Sequence, residues 1–166
     1  MYQFWLNTDD ADVIDRLKVF TFLSKAEIGE YQQKVEAEPF KREAQRRLAL
    51  EVTELVHSPQ EATAAQDASL ALFGAGDIRL LDAQTLRSAL AELPNAEVAK
   101  GSLVVDALIA TGLCESKSEA RRAIEQGGVS VNKVKIDSEA AVLDDVLPGN
   151  QAVLARGKKS LAGLFF

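Results

Sequence analysis

The sequence predicts a fold of class α + (α+β): an N-terminal helical bundle joined by a linker to a small α+β domain with a short, mainly antiparallel sheet. Three observations carry that expectation. Apolar residues recur at helical spacing through residues 1–73, with Val13, Leu17 and Phe20 at i, i+4 and i+7. Strict alternation appears only after Gly127-Gly128, where Val129-Ser130-Val131 and Val134-Lys135-Ile136 flank Asn132-Lys133. Between the two regions, Gly74-Ala75-Gly76-Asp77 and Pro94-Asn95 punctuate a stretch that reads as a connector.

The elements follow in order. Asp9 or Asp10 can cap the helix that carries Val13, Ile14, Leu17 and Phe20. Ser24-Lys25-Ala26-Glu27 has the spacing of a capping box, and Ile28, Tyr31 and Val35 then mark a second apolar stripe that Pro39 ends. From Phe40, the positions Ala44, Leu48, Val52 and Leu55 predict a third helix with Lys41-Arg42 and Arg46-Arg47 on its flank. Ser58-Pro59-Gln60-Glu61 is a second capping box with proline at the first helical position, and the alanine-rich fourth helix stops at Gly74. Tyr2, Phe4 and Trp5, preceding an apolar helix, are expected in the core. His57 is expected to serve as a helix C-terminal cap or dipole partner.

Residues 74–101 are expected to form a linker containing one short helix near Asp82–Leu93. Gly74 and Gly76 make a Gly-x-Gly, but no strand precedes it and no dinucleotide fingerprint follows. Residues 102–166 form the second domain. A short helix (Leu103, Val104, Ala107, Leu108) ends at Gly112, and Ser116-Lys117-Ser118-Glu119 opens another that ends at Gly127-Gly128. The hairpin over 129–136 comes next, Pro148-Gly149 turns the chain, and strands are expected over Ala152–Ala155 and Leu161–Phe166.

Composition narrows the chemistry. The chain has 166 residues, of which 47% are hydrophobic and 27% charged, as in a folded protein. One cysteine, Cys114, and one histidine, His57, exclude a disulfide framework within the chain and a zinc site with two or more histidines. Cys114 precedes a helix start, which would lower its pKa, but a buried, inert thiol is the expected state. No apolar run reaches the ~18 residues of a membrane span, and the chain reads as cytoplasmic. The net charge of −6 argues against a general nucleic-acid binder while the chain is treated as one object.

That charge is unevenly distributed. Residues 1–100 hold 11 basic and 17 acidic side chains, whereas residues 101–166 hold 8 of each. In the second half the signs are sorted. Lys117, Arg121, Arg122, Lys133 and Lys135 face only Glu119 and Glu125, and Arg156, Lys158 and Lys159 stand in an acid-free terminal stretch. Asp137, Glu139, Asp144 and Asp145 fill the loop between. A helix, a hairpin and a strand end can thus combine into a phosphate-binding face.

The segment Ser116-Lys117-Ser118-Glu119-Ala120-Arg121-Arg122-Ala123-Ile124-Glu125-Gln126-Gly127-Gly128-Val129-Ser130-Val131-Asn132 resembles the RNA-binding domain named after the fourth protein of the small ribosomal subunit. Arg156-Gly157-Lys158-Lys159 is similar to that domain's closing basic strand. The stretch Tyr2-Gln3-Phe4-Trp5-Leu6-Asn7-Thr8-Asp9-Asp10-Ala11-Asp12-Val13, followed by Leu17-Lys18-Val19-Phe20-Thr21-Phe22-Leu23, resembles the anticodon-binding helical region of bacterial tyrosyl-tRNA synthetases. Glu51-Val52-Thr53-Glu54-Leu55-Val56-His57 and Ala71-Leu72-Phe73 continue that likeness, which runs essentially the full length. The family's catalytic His-Ile-Gly-His-type and Lys-Met-Ser-Lys-Ser-type motifs are absent, so the chain is expected to start just after the catalytic loop and not to activate tyrosine alone.

The resemblance implies site residues. The family pattern Asn-Thr-x-Asp-x-Asp-Val places acids at Asp10 and Asp12, and Asp10 is the expected reader of the guanine that begins the anticodon, with Asp12 in reserve. A carboxylate suits guanine because its Watson–Crick edge presents two adjacent N–H donors. A helix start also rewards an Asp simply as a cap. Lys117, Arg121, Arg156, Lys158 and Lys159 are implied phosphate contacts on the stem between anticodon and long variable arm. Ser118, Ala155 and Ser160 stand where relatives often carry bases, and Lys133 replaces a usual turn glycine. The implied partner is tyrosine tRNA. No catalytic residue, metal ligand or cofactor is expected in this chain, with ATP and Mg confined to a catalytic domain that would also dimerise the parent. The fragment itself is expected to be monomeric. The alternative reading is an acidic helical protein-interaction adaptor carrying an RNA-binding module; a free-standing enzyme lacks any nucleophile–base pair to support it.

Overall fold

The computed structural model describes residues 1–158 and 160–166 and divides into two compact units, Met1–Ser69 and Leu70–Phe166.

The first unit is helical: α1 (Tyr2–Leu6), α2 (Asp10–Phe20), α3 (Lys25–Ala37), α4 (Glu43–Val56) and the first turns of α5 (Pro59–Phe73), with a 3₁₀ turn at Pro39–Lys41. Its core joins Val13 and Leu17 of α2, Ile28 of α3, and Ala44, Leu48 and Val52 of α4. The stripes read from sequence face this core, except that Leu55 lies largely in solvent and Phe20 is half exposed beside Trp5. The Ser24 box is complete: its hydroxyl accepts from the Glu27 N–H while the Glu27 carboxylate accepts from the Ser24 N–H at 2.8 Å. That carboxylate is held below its usual pKa by Ser24. The second box forms only half. Ser58 Oγ accepts from the Glu61 N–H, but the Glu61 side chain pairs with His57 Nδ1 at 3.3 Å. His57 is the C-cap residue of α4, as expected. Of the early aromatics, Tyr2 is buried and Trp5 packs on the core, whereas Phe4 is 67% exposed, against expectation. Its ring instead stands edge-on to Trp5, with centroids 5.4 Å apart.

The second unit is a five-stranded sheet with helices on both faces. It contains the end of α5, α6 (Ala83–Ala91), β1 (Asn95–Glu97), α7 (Val104–Ala110), α8 (Lys117–Glu125), β2 (Val129–Val131), β3 (Val134–Lys135), β4 (Gln151–Arg156) and β5 (Ser160–Phe165). The strand order is β1-β5-β4-β2-β3. The pairings β2–β3, β2–β4 and β4–β5 are antiparallel, and β1–β5 is parallel, so the sheet is mixed. Side chains alternate across it. Ala152, Leu154 and Leu164 meet α7 and α8 on one face, while Val153, Ala155 and Leu161 meet Leu86 and Leu90 of α6 and Ala71 and Leu72 of α5 on the other. Burial on both faces explains why β4 reads as a continuous apolar run.

The stretch 74–101 contains the expected short helix, α6, capped by Asp82, whose carboxylate accepts from the N–H groups of Gln84 and Thr85. It also does more than connect. Pro94 is followed by strand rather than by open chain, and the Gly163 N–H donates to the Pro94 carbonyl at 2.9 Å. Gly163 lets α6 approach: a Cβ there would lie 2.9 Å from Leu90 Cβ.

Candidate nucleic-acid interface

In the helical unit the two candidate carboxylates are organised by the turn before α2. Asp9, not Asp10, is the N-cap residue, and its side chain makes no capping bond. Asp10 is the first helical residue and points instead toward α4, where Gln45 Nε2 donates to its Oδ1 at 2.5 Å. Arg42 Nη1 stands 4.0 Å from the same oxygen, and Arg42 Nη2 donates to the carbonyls of Leu6 and Thr8, both at 2.9 Å. Asp12, one turn along, pairs with Arg16 at 3.3 Å, and Arg16 Nη1 donates to the Thr8 hydroxyl at 3.2 Å. Thr8 is therefore the hub. It is buried, and its backbone and side-chain oxygens tie the surroundings of both acids together. The caps alone do not account for these carboxylates, and both remain about half exposed.

Sequence reasoning did not single out Arg42, Gln45 or Arg16. One signal was available for Gln45: it is a polar residue inside the apolar stripe of α4, beside Ala44, Leu48 and Ala49. Arg42 has no comparable signal. It sits in the left-handed region at φ 51°, ending the 3₁₀ turn and starting α4, so that its guanidinium reaches back to the α1–α2 turn.

In the α+β unit, α8 begins at Ser116, whose hydroxyl accepts from the Glu119 N–H at 3.2 Å. The Glu119 carboxylate reaches back to the Glu115 N–H at 2.8 Å, one residue earlier than a standard capping box. The helix closes at Gly127, φ 68°, and the Gly128 carbonyl accepts from the Gly157 N–H at 2.7 Å. Gly157, the residue after β4, is thereby fixed against the end of α8. Arg156 extends back along that helix, donating to the Leu113 carbonyl at 2.6 Å and pairing with Glu119 at 2.8 Å.

The other expected phosphate contacts are also paired. Lys117 meets Asp106 at 2.8 Å and Arg121 meets Glu139 at 3.0 Å, in half-exposed pairs. Lys158 is exposed and forms no ion pair among the described residues; Lys159 lies outside them. The hairpin lysines divide. Lys133 is consumed structurally, its Nζ donating to the carbonyls of Gly74 at 3.0 Å and Gly76 at 2.7 Å. The Gly-x-Gly thus offers carbonyl oxygens to a cation, the opposite polarity to a phosphate cradle. The missing turn glycine is replaced by two positive-φ residues, Asn132 at 49° and Lys133 at 68°, as a type I′ turn requires. Asn132 accepts from the Val153 N–H and donates to Asp145, which anchors the turn. Cys114 is buried, and burial pushes its thiol pKa up. Among the described residues no cluster of acids, His and Cys could hold a metal, and no helix is long and apolar enough to cross a membrane.

A helical unit with organised carboxylates is followed by an α+β unit whose basic and acidic side chains nearly balance, and the comparisons give the chain a class. Residues 1–74 match the family of class I tRNA synthetases (W and Y). Residues 85–162 match the tyrosine–tRNA ligase SYY-like C-terminal domain, and the chain belongs to the tyrosyl-tRNA synthetase family as a C-terminal portion. It is 59% identical over 167 residues to the tyrosine–tRNA ligase of Leifsonia xyli, covering 99% of this chain and 38% of that protein. It is 49% identical to the enzyme of Mycobacterium tuberculosis, covering 98% of this chain and 39% of that protein. The chain therefore spans well under half the length of these relatives. A C-terminally truncated mitochondrial tyrosyl-tRNA synthetase from Aspergillus nidulans is 43% identical, with a TM-score of 0.37, over 38% of this chain and 19% of that one; so partial an overlap adds nothing on the fold.

Proposed function

We propose that this chain binds tyrosine tRNA as the C-terminal part of a tyrosine–tRNA ligase. In this reading Asp10 accepts the N–H donors of the first anticodon base, guanine, with Asp12 beside it. Lys117, Arg121, Arg156, Lys158 and Lys159 hold the backbone of the stem between anticodon and variable arm. The observation that carries the reading is the seating of Arg156 on Glu119 and of Gly157 on the Gly128 carbonyl, which brings the end of β4 against α8. Their carboxylate partners are no obstacle. Exposed ion pairs contribute about 0–1 kcal/mol each, so a phosphate that releases counterions can replace them. Bond formation belongs to the portion of the ligase outside this chain, where ATP and Mg would bind and dimerisation would occur; this chain alone is expected to be a monomer working in the cytoplasm.

Retention of tyrosine tRNA on a filter, lost as salt rises from 50 to 200 mM on the scale expected for phosphate contacts, tests the reading. Equal binding of a tRNA with a shortened variable arm would remove the stem assignment. Absence of any retention would favour the protein-adaptor alternative. Tyrosine-dependent pyrophosphate exchange by this chain would overturn the claim that catalysis lies elsewhere.

A further inference from the structure

We propose that Gln45 is the positioning residue for the Asp10 carboxylate, and that base discrimination by the helical unit depends on its side-chain amide. The inference rests on Asp10 being the guanine reader. Gln45 is completely buried on α4, and its Nε2 faces two acceptors, Asp10 Oδ1 at 2.5 Å and the Thr8 carbonyl at 3.5 Å. Those acceptors fix the amide orientation, because the flipped amide would set Oε1 against a carboxylate. The same orientation leaves Oε1 buried with no hydrogen-bond partner among the described residues. A leucine or methionine would fill this place in the apolar stripe without an unsatisfied acceptor. The fold thus carries a polar side chain that its packing does not need, and among the described residues it serves Asp10 and the turn leading into Asp10.

The geometry says what the amide does. Asp10 is about half exposed, so its carboxylate has solvent on one side and rotational freedom to lose on binding a base. The Gln45 donor fastens Oδ1, whereas Oδ2 accepts no hydrogen bond among the described residues. Arg42 Nη1 stands 4.0 Å from Oδ1, and the same guanidinium holds the Leu6 and Thr8 carbonyls that shape the turn. A pre-oriented carboxylate accepts two adjacent N–H donors, whereas adenine presents an acceptor at one of those positions and is refused.

The test compares filter binding of two tyrosine tRNA transcripts, with guanine or adenine at the first anticodon position, to the wild-type chain and to Gln45→Leu, Gln45→Met and Asp10→Ala. The expected result is a loss of about three- to ten-fold in guanine preference for both Gln45 variants, the scale of one well-placed hydrogen bond. Their thermal midpoints should equal or exceed the wild-type value, because the orphaned oxygen is gone. A purely structural Gln45 would lower the midpoint when replaced and leave the preference unchanged, and that outcome overturns the inference. If Asp10→Ala loses the preference while both folded Gln45 variants retain it, the inference fails and the reading of Asp10 stands. If Asp10→Ala keeps the preference, the reading of Asp10 fails and the inference with it.

Discussion

Arg156 and Glu119 are 2.8 Å apart, and the pair fastens the last residue of β4 to the first turn of α8. Glu119 is held below the usual carboxylate range, first by the Glu115 N–H and then by Arg156. The sign follows directly. A carboxyl depressed in the folded state stabilises the fold above its unfolded pKa, about 4.3, and loses that contribution as pH falls through its folded value. Thermal melts between pH 7 and pH 3 should show stability declining below pH ~4.5, with a shallower decline for Glu119→Gln. Identical pH profiles for the two proteins would mean the pair is broken in solution.

Charge reversal at the β4–β5 turn tests the phosphate face. Lys158→Glu combined with Lys159→Glu should weaken tyrosine tRNA binding several-fold and flatten the dependence of affinity on salt. Affinity unchanged across a salt titration would remove the turn from the interface.

Lys133 separates a structural lysine from a binding one. Lys133→Met removes two bonds to the carbonyls of Gly74 and Gly76 and should cost about 1–2 kcal/mol by denaturant melt, with little change in tRNA affinity. Lys133→Gly loses the same bonds but relaxes a φ of 68°, so it should be the milder substitution. The reverse order would show that the left-handed backbone at 133 carries no strain, and a Lys133→Met protein as stable as wild type would show that the ammonium contributes nothing there.

Gly163→Ala probes the packing of α6 on β5. The added methyl meets Leu90 Cβ at 2.9 Å and the Leu90 carbonyl at 3.1 Å, and should cost about 1–3 kcal/mol in a thermal melt. A neutral result would mean that α6 is not seated on the sheet in solution.

The helices with a side-chain cap and a breaker were legible from sequence: Ser24 with Pro39, Asp82 with Pro94, Ser116 with Gly127. α1 was not, because its N-cap is Met1 with no capping side chain and its five residues show less than two helical turns of pattern. β1 was illegible for a different reason. Asn95-Ala96-Glu97 has no strand propensity and is extended because β5 pairs with it. At the site, the residue types and positions were readable, but the pairing of Lys117 with Asp106 and of Arg121 with Glu139 was not. Those partners come from other elements, and no local pattern announces them.

The place of β5 in the sheet sets an order of events for a growing chain. β5 lies between β1 and β4, so the pairing of β1, and of the edge of β4 that does not meet β2, must wait for Ser160–Phe165. The parallel ladder joins Asn95 to Gly163, a separation that makes it among the most entropically expensive contacts in the second unit. During synthesis α7, α8 and the β2–β3 hairpin can assemble from local contacts, while β1 stays unpaired until that last strand is released. The segment around β1 should therefore acquire its protease resistance later than α7, α8 and the hairpin.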